Sequence, residues 1–92
     1  MIEISQNLRS SHNSEGAVLL DVAGGKMYGL NPVASRILAL LAQGLEEDQI
    51  KSEISRAFSV GIEVVGSDVD EFLAQLAEHR LITRNGNRNT KP

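Results

Sequence analysis

The eight residues Gly25-Lys26-Met27-Tyr28-Gly29-Leu30-Asn31-Pro32 constrain this chain more than any others. They read as a short strand that runs directly into a helix. Side chains alternate along an extended segment, so Tyr28 and Leu30 share one face. Asn31 is a helix-capping residue, and Pro32 at the first helical position loses no hydrogen bond because its missing N–H has no partner there. A strand joined so tightly to a helix is a rigid rail. Its free edge is the kind of surface to which a second extended peptide adds.

The rest of the sequence supplies few alternatives to binding. At 92 residues there is room for one domain and one modest core, expected to occupy residues 1–84. Phe58, Phe72 and Tyr28 are the only aromatic residues, so the core must rest on Leu, Ile, Val and Ala. Without cysteine there are no disulfides, thiolate metal sites or cysteine nucleophiles, a composition that suits the cytoplasm. No apolar run approaches the roughly 20 residues that cross a bilayer. The segment Met1-Ile2-Glu3-Ile4-Ser5 has neither the basic nor the long apolar part of a signal peptide. A net charge of −3 gives no long-range attraction for nucleic acid or anionic lipid.

Along the chain, Ile2 and Ile4 suggest a first short edge strand, and the polar stretch from Gln6 to Glu15 reads as a loop. Ala17 to Val22 is a compact apolar strand, Ala23-Gly24-Gly25 a tight turn, and Lys26 to Leu30 the returning partner. Three helices follow. The first spans Pro32 to Gln43, with Ala34, Ile37, Leu38 and Leu41 on its apolar stripe and Gly44 at its end. The second spans Glu46 to Phe58 with Ile50, Ile54, Ala57 and Phe58 inward. Val60 to Gly66 reads as an irregular connector. Ser67 and Asp70 resemble a capping box opening a third helix that ends near Arg80, with Val69, Phe72, Leu73, Leu76 and Ala77 buried. Leu81-Ile82-Thr83 adds a short strand or closes the core. Asn85 to Pro92 has no apolar residue and is expected to be a disordered tail.

No catalytic constellation emerges. His12 and His79 have no Ser, Cys or carboxylate at a spacing that suggests a triad or a metal site, and read as two solvated histidines. Glu46-Glu47-Asp48 and the group Asp68, Asp70 and Glu71 fall in the first turns of predicted helices, where the helix dipole favours anions. A hairpin with three helices also suggests a winged helix that places its third helix in DNA. Charge opposes that reading: Asp68, Asp70, Glu71 and Glu78 stand against the single arginine Arg80 on that helix. A self-associating module, pairing its free strand edge with a second copy, is the other alternative.

An apolar strand (Val18-Leu19-Leu20-Asp21), a glycine turn (Gly24-Gly25) and an aromatic-x-Leu-Asn segment (Tyr28 to Asn31) follow in that order. Next come a Leu/Ile-rich helix with a small residue (Ala34, Ile37, Leu40, Leu41), then Gly44, and later Asp68-Val69, Phe72-Leu73, Leu76 and Leu81-Ile82. Together, across Gly16 to Ile82, they resemble the PqqD-like family of peptide chaperones, also called RiPP recognition elements. Tyr28-Gly29-Leu30-Asn31-Pro32 is most similar to the discrete members that serve lasso-peptide leader proteases.

The resemblance implies an α+β, winged-helix-like fold with a short three-stranded antiparallel sheet packed on three helices. It also implies a non-catalytic role without cofactor or metal. Such a protein captures the leader of a ribosomally made precursor peptide and presents the remainder to a maturation enzyme, a leader protease or a radical-SAM maturase. The leader would add beside the strand Lys26, Met27, Tyr28, Gly29 and Leu30. It would pack against a helix that offers Val69, Phe72, Leu73 and Leu76, residues that divide between groove and ordinary core. The expected oligomeric state is a monomer or weak dimer.

Overall fold

The computed structural model describes residues 2–84. Five strands and three helices follow in the order β1 (Ile2–Ile4), β2 (Leu8–Asn13), β3 (Gly16–Asp21), β4 (Lys26–Leu30), α1 (Pro32–Ala42), α2 (Glu47–Phe58), α3 (Ile62–Glu78) and β5 (Ile82–Arg84). The three-stranded antiparallel sheet has the order β2-β3-β4, so β4 lies at an edge. Its inner face packs on the helices through Leu19, Tyr28 and Leu30, against a core of Ile37, Leu38, Ile50, Ile54, Val69 and Leu73.

The β3–β4 hairpin and the strand-to-helix junction follow the sequence pattern closely. Gly25, at φ +69°, donates its N–H to the Asp21 carbonyl at 2.7 Å and closes the hairpin turn. Asn31 Oδ1 accepts the Ala34 N–H at 2.8 Å, and Pro32 occupies the first turn of α1. At the other end of the hairpin, Gly16 lies so close to the end of β4 that a Cβ would collide with the Leu30 carbonyl oxygen. Its φ of +142° is a second reason for glycine. Together these contacts fix where β4 ends.

Several sequence expectations are corrected. The polar stretch read as a loop contains β2, which pairs with β3 from Leu8↔Asp21 to Asn13↔Gly16. Only Leu8 of that strand is apolar and partly buried, so backbone pairing rather than a hydrophobic face specifies it. The Asn13 side chain accepts the Glu15 N–H at 2.8 Å and starts the turn into β3. Strand β1 therefore does not belong to the three-stranded sheet. It pairs with β5, Ile4 opposite Ile82, in a separate two-stranded sheet.

The third helix begins at Ile62, not Ser67, and absorbs most of the supposed connector. Val65, Val69, Leu73 and Leu76 are all buried along one stripe, and that burial outweighs the small helix penalty of β-branched residues. The helix stops at Glu78, with His79 as its C-cap. In α2 only Ile50 and Ile54 are buried, whereas Ala57 and Phe58 are exposed at its end. Ala77 is likewise exposed. Glu46 caps α2 in a reciprocal box with Gln49. The expected tail, 85–92, lies outside the described residues.

Candidate functional site: the free edge of β4

Which backbone groups of β4 face outward follows from the hydrogen bonds of its neighbours. Val22 N–H donates to the Asn7 carbonyl at 2.9 Å, so at Val22, and by alternation at Leu20 and Val18, the backbone polar groups point towards β2. Asp21, Leu19 and Ala17 therefore direct theirs towards β4, where they face Lys26, Tyr28 and Leu30. Met27 and Gly29 are left with N–H and C=O directed away from the sheet. An edge of this kind is a template for a further strand.

Beside that edge runs a groove between β4 and α3. Its narrower part, about 130 Å³, is lined by Leu19, Tyr28, Phe72, Leu76, His79 and Leu81, among others. A wider part of about 420 Å³ continues past Leu30 and Asn31 to Val33, Asp68 and Glu71. Gly29, Leu30, Phe72 and Gln75 border both parts, so they form one continuous trough. The His79 ring contacts the Tyr28 ring with centroids 5.2 Å apart. Strand and helix run in opposite directions along the trough: Leu30 lies by Asp68 and Glu71, and Tyr28 by His79.

The nine residues singled out from the sequence separate into four groups. Tyr28, Leu30 and Phe72 are half-buried on the core and line the trough, while Gly29 borders it and offers backbone to the edge. Met27 is 69 % exposed and Lys26 is exposed, so neither is core. Val69 and Leu73 are wholly buried and line neither part of the trough, which makes them core residues that support it. Leu76 is buried but borders the narrow part.

Sequence reasoning missed Gln75, His79, Asp68 and Glu71 as groove residues. The helical spacing 68, 71, 72, 75, 79 would have found them once Phe72 was placed facing β4. A larger hollow of about 640 Å³ lies elsewhere, between β1, β5 and the end of α1, but it contains no aromatic side chain and does not reach β4.

The histidines are not simply solvated. His12 Nδ1 lies 2.9 Å from Ser35 Oγ and Nε2 lies 3.2 Å from Ser10 Oγ, an arrangement that ties the edge strand β2 to α1. Among the described residues there is no group of three or more His, Cys, Asp or Glu side chains placed to hold a metal. No helix among them is long and apolar enough to cross a membrane.

The family model for coenzyme PQQ synthesis protein D (PqqD) matches residues 16–82. The chain belongs to the PqqD family. Among solved structures, this PqqD-family chain is similar to TbiB1 in complex with the TbiA(beta) leader peptide. The two share 33 % identity and a TM-score of 0.82, with 95 % of this chain and 99 % of that one covered. It also shares its fold with lasso peptide synthetase B1 complexed with the leader peptide, at 19 % identity and a TM-score of 0.80 over 90 % of this chain and 98 % of the other. A comparison with curated proteins finds no match.

Proposed function

We propose that this PqqD-family chain is a discrete RiPP recognition element of the lasso-peptide type. It binds the leader of a precursor peptide by strand addition and presents the remainder to a maturation enzyme. The observation that carries this reading is the free edge of β4 beside an apolar trough. Met27 and Gly29 offer main-chain hydrogen bonds that set register, and the pocket of Tyr28, Phe72 and Leu76 receives an apolar side chain. Both structural relatives are complexes with a leader peptide, which supports the same reading.

The energetics suit a carrier that must release its cargo. Each buried aliphatic or aromatic anchor contributes roughly 1.5–3 kcal/mol. Each edge hydrogen bond adds about 0.5–1.5 kcal/mol, and ordering the peptide costs about 2–5 kcal/mol. The balance lies near micromolar affinity, about −8 kcal/mol. The role is recognition without bond making, and the likeness of Tyr28-Gly29-Leu30-Asn31-Pro32 to the lasso-type members favours a leader protease over a radical-SAM maturase as the enzyme downstream.

An amide-resolved NMR titration with the leader of the precursor encoded beside this chain tests the proposal. Shifts concentrated in Lys26–Leu30 and along α3 from Asp68 to His79 are expected. Saturable shifts confined to the β1–β5 end would replace the β4 site with another, and no shifts at millimolar peptide would remove the role for that leader.

A further inference from the structure

The structure takes away the reason for two carboxylates that the sequence seemed to explain. Asp68 and Glu71 would sit in a first helical turn if α3 began at Ser67, and the helix dipole would then favour them. Because α3 begins at Ile62, they stand near its middle, beyond the reach of the dipole. Their neighbour Asp70 has a different role: it pairs with Lys51 of α2 at 3.0 Å. Asp68 and Glu71 point the other way, into the wide end of the trough beside Leu30 and Asn31. Like charges three residues apart on one helix face repel each other slightly, so the helix gains nothing from them there.

The trough is therefore polarised along its length. Its Leu30 end carries the two exposed carboxylates, and its middle is apolar around Tyr28, Phe72 and Leu76. At the far end stands His79. The whole sheet is antiparallel, and antiparallel addition is the slightly more stable pairing. A peptide added antiparallel to β4 enters at the Leu30 end, so its N-terminal part meets Asp68 and Glu71.

We infer that Asp68 and Glu71 select a peptide with a basic side chain on the N-terminal side of its apolar anchor, and so fix the direction and register in which it binds. This rests on the strand-addition reading above. The ligand class narrows to an extended peptide with a cation leading its apolar anchor.

The test uses the full chain and the leader of the precursor encoded beside it, synthesised with Lys, Gln or Glu at each position flanking the anchor. Binding is read by fluorescence anisotropy at low and high salt. One position N-terminal to the anchor should rank Lys over Gln over Glu. Each step should be about two- to five-fold, as for an exposed ion pair, and should shrink at high salt. The ranking should vanish in the exposed, fold-neutral double variant Asp68→Asn/Glu71→Gln. A ranking that survives in that variant, or one found only C-terminal to the anchor, overturns the inference while leaving strand addition intact. Loss of binding by every peptide, with the wild-type chain folded, overturns both.

Discussion

The ring of Tyr28 lies 5.2 Å from that of His79, tilted by 52°, and this contact joins the middle of the edge strand to the C-cap of α3. Trough wall and trough floor are thereby coupled: the residue that would greet a bound peptide is also one that anchors β4 to the core. Changes at Tyr28 should accordingly register in both stability and binding, whereas changes at the exposed His79 should register mainly in binding.

Tyr28→Ala should lower unfolding free energy by about 2 kcal/mol, less than for a fully buried aromatic because Tyr28 is only half-buried. It should also weaken leader binding about ten-fold. His79→Ala should cost about 0.5–1 kcal/mol at most, the value of one ring pair. Urea denaturation alongside anisotropy binding curves measures both.

A proline scan of two adjacent residues tests the outward direction of the edge groups. Met27→Pro removes an N–H that faces away from the sheet, so the fold should survive while leader binding falls at least ten-fold. Tyr28→Pro removes an N–H bonded to β3 and should unfold the hairpin. Thermal melts with paired binding assays separate the outcomes, and equal melting temperatures for the two variants would refute the assignment.

Phe72 and Leu73 are neighbours in sequence with opposite roles. Leu73 is wholly buried, so Leu73→Asp should unfold the protein, and even Leu73→Ala should cost about 2–5 kcal/mol. Phe72→Ala should leave a folded protein that binds leader poorly. Circular dichroism and titration of each variant provide the check.

Gly16→Ala should destabilise the chain by about 2–3 kcal/mol, because the added methyl meets the Leu30 carbonyl and alanine disfavours φ +142°. Since Gly16 fixes the end of β4, backbone amide shifts of Gly29 and Leu30 should move in this variant even without peptide.

The strand-turn-strand-helix unit from Ala17 to Gln43 was legible because each of its parts is locally specified. A compact apolar run, a glycine turn and an Asn-Pro cap point to one structure without help from the rest of the chain. The strand β2 was not legible, since one apolar residue in six leaves no pattern and only pairing with β3 makes it extended. The start of α3 misled for a related reason. Ile62, Val64 and Val65 favour extended backbone locally, and Ser67 with Asp70 imitates a cap in the middle of a helix.

For the site the division is similar. By itself the sequence determined the candidate strand, its junction with α1 and the family, all written in short-range patterns. Only tertiary structure decided that Val69 and Leu73 are core while Phe72 faces the trough, because a one-residue step along a helix turns a side chain by about 100°. It also decided that Met27 and Gly29 hold the free edge, since β-pairing assigns each strand's hydrogen-bonding directions through its neighbour.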